Sequence, residues 1–162
     1  MKVSLEKSVI YFFIIVAILL LLIALVIWMK EFEQISIQQG FMKHNGGLLF
    51  RMISKYESEF KTKINENHLN RAGITHGGYI ASIIDAGVGT GVHRATSDKV
   101  CVTISLDIKF IGSTKKGDEI SGIVKIDKIT NSLIFASCKL KSKDEIVATA
   151  SGVWKKTSYK FK

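Results

Sequence analysis

Gly77-Gly78-Tyr79-Ile80-Ala81-Ser82-Ile83-Ile84-Asp85-Ala86-Gly87-Val88-Gly89-Thr90-Gly91-Val92 carries a helical repeat. Ile80, Ile83, Ile84, Gly87, Val88, Gly91 and Val92 recur at spacings of three and four, which predicts an amphipathic helix from Gly77 to about Arg94. The period then changes. Val100, Val102, Ile104, Leu106, Ile108 and Phe110 alternate strictly, the pattern of a half-buried strand. Ile134, Ala136, Cys138 and Leu140 alternate in the same way, as do Ile146, Ala148, Ala150, Gly152 and Trp154. Turn chemistry at residues 115–118, 131–132 and 143–144 separates these runs, and connections this short imply antiparallel neighbours. Upstream, 48–55 and 58–64 are strand candidates, and 67–73 is a polar loop. The class is α+β, with an antiparallel sheet covering one helix.

The predicted helix has an expensive second half. Gly87, Gly89 and Gly91 each cost about 1 kcal/mol against Ala in a helix interior. Close approach of sheet backbone is the plain compensation. A nucleotide-loop reading of Gly87-Val88-Gly89-Thr90-Gly91 fails: the Rossmann spacing is absent, no strand immediately precedes it, and no Gly-Lys-Ser/Thr follows.

Outward to the amino terminus, Val9–Met29 is 21 residues without a charge, an amide or a glycine. As a helix it would be about 31 Å long, close to the hydrocarbon thickness of a bilayer. Tyr11 and Trp28 stand near its ends, and Lys2, Lys7 and Lys30 bracket it. A cleaved signal has a shorter apolar core followed by small residues. Here the run ends in Trp28-Met29-Lys30-Glu31-Phe32, so an uncleaved transmembrane anchor is expected over residues 1–30. Residues 31–47 read as a helical linker that ends in the turn residues His44-Asn45-Gly46-Gly47, leaving 48–162 as the folded domain.

The chain carries a net charge of +9, and the first thirty residues hold only three Lys and one Glu, so +7 belongs to the remainder. That balance suits an anionic partner, or simply a solvated surface. The lysines are dispersed, which argues against nucleic acid. Cys101 and Cys138 show no metal-ligand spacing and read as free buried thiols, suited to a reducing compartment.

Candidate chemistry sits in Asn70-Arg71-Ala72-Gly73-Ile74-Thr75-His76-Gly77-Gly78, with Asp85 seven residues further on. Gly77 and Gly78 open the helix, where unpaired N–H groups and the positive dipole end suit a developing oxyanion. Glycine lets a substrate approach that backbone closely. Asp85 is an aspartate with poor solvation in the middle of an apolar helix. Gly78 and Asp85 share a face but lie about 10 Å apart along the axis. Two antiparallel helices in a dimer could bring Asp85 of one chain to Gly78 of the other. The bland readings are a turn histidine, a structural aspartate and a loop-capping Asn70.

With these residues, Thr103-Ile104-Ser105-Leu106-Asp107-Ile108-Lys109-Phe110-Ile111, Gly117-Asp118 and Ala148-x-Ala150-x-Gly152-x-Trp154, residues 45–155 resemble the hotdog-fold acyl-CoA thioesterases of the phenylacetate-degradation type. The resemblance implies a long helix wrapped by an antiparallel sheet, assembled as a dimer or dimer of dimers. It implies that the Gly77 or Gly78 N–H polarises a thioester carbonyl, that Asn70 holds the site near that carbonyl or the water, and that His76 positions the loop and faces the leaving sulfur. Asp85 from a partner subunit would act as general base or nucleophile, and Thr103 would help hold the water. Alternation puts Thr103 on the face opposite Val102 and Ile104, and therefore away from its own helical core. Coenzyme A enters as part of the substrate, with no separate cofactor. Lys115, Lys116, Lys155 and Lys156 are candidates for its phosphates by charge and loop position, or are solvated lysines. The family commonly has a proline soon after Phe110-Ile111, where this chain reads Gly112-Ser113-Thr114.

The expected function is a membrane-anchored acyl-CoA thioesterase. Its rival is a non-catalytic acyl-thioester-binding or scaffolding module at the membrane, which would have no need of Asp85. A third option uses the basic domain only to lie on anionic lipid. Flanking lysines are balanced across the apolar run and do not set its orientation. The catalytic domain is placed on the cytoplasmic side because coenzyme A does not cross a bilayer unaided.

Overall fold

A computed structural model describes residues 9–21, 31–97 and 99–158, in two compact units that divide between Glu31 and Phe32. In the first unit, residues 9–21 form a helix (α1) whose large apolar side chains are exposed, from Val9 through Phe13 to Leu21. Among the described residues no helix is long and apolar enough to cross a membrane. The rest of the Val9–Met29 run, residues 22–29, lies outside them.

The second unit holds β1 (Glu33–Ile35), a single helical turn α2 (Phe41–His44), β2 (Leu48–Met52), β3 (Glu57–Lys63), α3 (Gly77–Ala95), β4 (Cys101–Phe110), β5 (Glu119–Ile129), β6 (Leu133–Ser142) and β7 (Glu145–Lys156). The strands form one sheet in the order β1-β2-β3-β5-β6-β7-β4, every neighbouring pair antiparallel. After β3 the chain runs through α3 to the far edge of the sheet, lays down β4, and returns to the interior for β5. The helix lies along the sheet with Ile80, Ile83, Ile84, Val88 and Val92 buried against Phe50, Phe60, Ile120, Val124, Ile134 and Leu140. The helix expected from Gly77 to about Arg94 is thus present, and so is the α+β class.

The helical linker expected over 31–47 is not. Residues 33–35 add an edge strand to β2, and only four residues of the segment are helical. The reason is chain reversal: Gly46 and Gly47 take φ of +89° and +65°, which turn the backbone back on itself. A Cβ on Gly47 would stand 2.7 Å from the Ile35 carbonyl, so this glycine lets β1 close on β2.

The costly glycines of α3 separate into two kinds. A Cβ at Gly87 would overlap the Phe60 ring, and so would one at Gly122 on β5. The ring is held between helix and sheet in the space those two side chains would take. Gly91 makes room in the same way for Ser58, whose Oγ would lie 2.6 Å from a Cβ. The compensation is therefore side chains of β3 inserted into the helix surface, where the sequence suggested sheet backbone. Gly89 has no such neighbour: the nearest atom to its missing Cβ is the Trp154 indole nitrogen at 3.9 Å, an ordinary contact.

Gly87→Ala is expected to destabilise the fold despite the better helix propensity. Overpacking a filled core costs about 1–3 kcal/mol, which exceeds the gain of about 1 kcal/mol from removing a helical glycine. A urea midpoint equal to or above that of the parent protein would contradict the packing described.

Candidate functional site

The loop that leads into α3 is built on His68. This residue is 2 % exposed and its ring stacks on Tyr79 with centroids 3.7 Å apart. Its Nδ1 accepts the Asn65 N–H at 3.2 Å, so Nε2 carries the proton and donates to the Asn45 carbonyl at 3.1 Å. Burial lowers its pKa, which keeps the ring neutral and both bonds intact. The chain then makes a tight turn. The Asn70 carbonyl accepts from Gly73 N–H, whose φ is +75°, and Asn70 N–H donates to Ile74. Asn70 Oδ1 accepts from Ala72 N–H at 2.9 Å and, more weakly, from Ile74 N–H at 3.4 Å. Two backbone donors fix the amide's oxygen, so its Nδ2 remains as an uncommitted donor. Thr75 pins the loop to the exit of β4 through Thr114, hydroxyl to hydroxyl at 2.7 Å.

His76 is the N-cap of α3. Its Nδ1 accepts the Gly78 N–H at 2.8 Å, which satisfies one of the four orphan donors of the helix start. The structure thereby distinguishes the two glycines. The Gly78 N–H is occupied, and a Cβ there would strike the His76 ring at 2.9 Å. For the Gly77 N–H no partner is found among the described residues. Gly77 and Asn70 line one cavity of about 200 Å³, together with Phe110, Gly112 and Thr114. This cavity brings together two hydrogen-bond donors and the positive end of a 19-residue helix.

Asp85 lies elsewhere. Eight residues further along α3, it is about 12 Å away on the helix axis and lines a separate cleft of about 310 Å³ with Gly89, His93, Cys101, Thr103 and Trp154. The sequence suggested a poorly solvated carboxylate, whereas Asp85 is exposed in the single chain, on the flank of the helix beside its buried stripe. Thr103 Oγ1 donates to Asp85 Oδ1 at 2.7 Å. Thr103 therefore faces its own helix, contrary to the expectation from alternation. The register of β4 against β7 shifts between Thr103 and Ser105, so the inward parity changes at Ile104. Cys101 before the bulge and Leu106 and Ile108 after it pack on the core, while Val102 and Ile104 point outward, 47 % and 56 % exposed.

The lysines are dispersed around these features. Lys116 pairs with Glu66 at 2.9 Å, and Lys156 donates to the Thr130 carbonyl at 2.7 Å. The ammonium groups of Lys115 and Lys155 have no ion pair among the described residues, and Lys115 follows Thr114 of the donor cavity. Of the cysteines, Cys138 is buried with its thiol pushed up to about 12, which leaves it unreactive. Cys101 is half-buried in the Asp85 cleft. Sequence reasoning did not place Gly89, His93 or Trp154 at this site. The one available signal was Gly89, a helical glycine costing stability with no packing neighbour to explain it.

Comparison with known proteins agrees with this architecture. The Thioesterase superfamily profile matches residues 72–149, from the loop after Asn70 into β7. A Pseudomonas aeruginosa protein, provisionally named an esterase, is 33% identical over 93 residues, covering 57% of this chain and 69% of that protein. The crystal structure of zebrafish thioesterase superfamily member 2 superposes with a TM-score of 0.69 at 20% identity, covering 75% of this chain and 90% of that one. A Streptococcus mutans protein solved bound to acetyl-CoA gives a TM-score of 0.58 at 22% identity, over 67% of this chain and 88% of its own. This chain, with one long helix laid in an antiparallel sheet and a capped helix start beside a donor-lined cavity, belongs to the thioesterase superfamily and has its hotdog fold.

Proposed function

We propose that this protein is a membrane-anchored acyl-CoA thioesterase whose active sites are each assembled from two chains. One observation carries the reading. The donor group (Asn70, Gly77) and the acid group (Asp85, Thr103) lie in separate cavities near opposite ends of β4, and β4 is an open sheet edge. That edge exposes Val102, Ile104, Phe110 and Ile111, an apolar strand that in a lone chain would invite pairing. A two-fold axis through the middle of β4 sets its two copies antiparallel. Cys101 of one chain then lies opposite Phe110 of the other, and each donor cavity faces an acid cleft. The full assembly is a dimer or a dimer of dimers.

The chemistry follows from what each half offers. The thioester carbonyl oxygen accepts from Gly77 N–H and Asn70 Nδ2, and both bonds strengthen as the oxygen gains charge. His76 keeps the Gly78 N–H occupied and holds the helix start in place. The partner subunit's Asp85 takes a proton from water, with one carboxylate oxygen held by the Thr103 hydroxyl beside it and the other free. Hydroxide adds to the carbonyl carbon. The tetrahedral oxyanion collapses, the carbon–sulfur bond breaks, and the proton held on the partner subunit's Asp85 passes to the leaving sulfur, giving free acid and coenzyme A. Lys115 and Lys155 supply positive charge toward the coenzyme phosphates. A purely binding module gives the Asp85–Thr103 pair no task.

Asp85→Asn keeps the Thr103 contact and removes the base, so thiol release from acyl-CoA should fall by about 10² to 10⁴-fold with unchanged thermal unfolding. Turnover equal to that of the parent protein would favour the non-catalytic module. For the anchor, the motivation is the uncharged run Val9–Met29. The chain should stay in the pellet after alkaline carbonate washing of membranes, and protease added outside intact cells should leave the 32–162 unit uncut. Release into the supernatant would remove the anchor, and digestion without lysis would place the domain on the side without coenzyme A.

A further inference from the structure

The two-fold axis proposed above restricts how this protein can meet a bilayer. Only a rotation about an axis perpendicular to the sheet sets two copies of one edge strand side by side and antiparallel in a continuous sheet. Two chains anchored through Val9–Met29 cross the bilayer in the same direction, so that axis must stand along the bilayer normal. A broad face of the sheet then meets the lipid, because the strand ends of the two copies point in opposite directions. One broad face carries α3, with Asp85 exposed on the flank of the helix. The other is covered by no element among the described residues.

Two independent observations select the uncovered face. Phe32 is the third residue after Met29, so the chain between them can span at most about 11 Å. Its ring lies on that face, with Arg51 Cζ 4.5 Å and Lys61 Nζ 5.0 Å from the ring centroid. Both side chains point away from α3, because their strand neighbours Phe50 and Phe60 are fully buried against it. The second observation is the surface of β5 and β6. Ile134, Ala136, Cys138 and Leu140 fill the core, so Phe135, Lys139 and Lys141 face outward. Lys128 of β5 stands opposite Phe135. The Phe135 side chain is 37 % exposed, and the ammonium groups of Lys128, Lys139 and Lys141 have no ion pair among the described residues. A carboxylate beside them, Asp127, accepts from Ser137 Oγ at 3.1 Å, and β6 itself carries no acidic residue. An exposed aromatic ring among unpaired lysines suits a surface that settles into anionic headgroups.

We infer that the outer face of β5 and β6 docks on anionic lipid, with Phe135 at the headgroup level and Lys128, Lys139 and Lys141 on the lipid phosphates. The helix face is thereby turned to the solution from which coenzyme A thioesters arrive, and the exposed Asp85 carboxylates are held away from the negative surface. The two-fold axis sets both copies of the lysine cluster on the same side. The inference rests on the anchored-dimer reading.

The test places the full-length protein in lipid nanodiscs, either of phosphatidylcholine alone or with about 30% phosphatidylglycerol. Acetylation of each lysine by a water-soluble reagent is followed by mass spectrometry. Lys128, Lys139 and Lys141 should react about fivefold more slowly in the anionic discs and regain their rates at about 0.5 M salt. Lys115 and Lys116, in the connection that leads away from Phe110, should react alike in both. The double variant Phe135→Ser, Lys139→Glu should lose the protection at Lys128 and Lys141 while keeping the thiol-release activity of the parent in detergent. Equal rates for the three lysines in both discs, or equal slowing of Lys115 and Lys116, would overturn the inference and leave the anchor standing. Slowing in neutral discs on addition of inorganic phosphate alone would overturn it in favour of a soluble anion. Failure of the chain to stay with either disc would overturn the anchor and the inference together.

Discussion

The Phe60 ring, held between Gly87 of the helix and Gly122 of the sheet, fixes how closely α3 approaches β3 and β5. Neither glycine can acquire a side chain without displacing that ring. Nearly three helical turns before this contact lies the start of the helix, with its His76 cap and free Gly77 N–H. Half a turn before it lies Asp85, carried on the flank of the same helix rather than on its buried stripe. A helix lifted by the width of a methyl group would part Thr103 from Asp85 and Thr75 from Thr114, since both hydrogen bonds tie the helix or its leading loop to the β4 segment.

β4 does two jobs that pull in opposite directions. As the last strand of the sheet it must pack on the helix, and as an open edge it must present an apolar surface outward. The irregularity between Thr103 and Ser105 reconciles them. Before it, Cys101 and Thr103 face the helix and bring a hydroxyl to Asp85. After it, Leu106 and Ile108 take over the inward face. Val102 and Ile104 are released to the outside, where a second copy of the strand can cover them. The same device thus builds the acid half of the site and the surface through which the other half is proposed to arrive.

Much of this was legible in the chain. The three-and-four spacing from Ile80 to Val92 is the buried stripe of α3, and the alternating runs are the strands found, because burial on one face writes its period into the sequence. What was not legible has identifiable physical causes. The segment 31–47 was read as helical because its apolar residues are too few to reveal a strand, and the positive φ of Gly46 and Gly47 follows from tertiary pairing. The orientation of Thr103 was inverted because one bulge residue shifts parity and leaves the alternation unbroken. The glycine spacing announced a close approach but not its occupant, since Phe60 lies on a different element, 27 residues earlier. The indole of Trp154 at the acid cleft depends on a fold-wide juxtaposition of β7 with the middle of α3, which no local pattern encodes.

The central claim is that the donors of one chain serve the carboxylate of another. Subunit complementation tests it most directly. Asp85→Asn removes the base, and Asn70→Asp retains the acceptor that braces the loop while removing the Nδ2 donor. Co-expressed with different tags and purified as a mixed dimer, the two inactive variants recreate one intact shared site, with Asn70 from the first and Asp85 from the second. The account requires the mixed dimer to recover about half the parent turnover, while the Asp85→Asn homodimer stays down by about 10² to 10⁴-fold for the lost base and the Asn70→Asp homodimer by about 10² to 10³-fold for the lost oxyanion donor. A mixed dimer as inactive as its two parents would place the whole site within one chain and contradict the account.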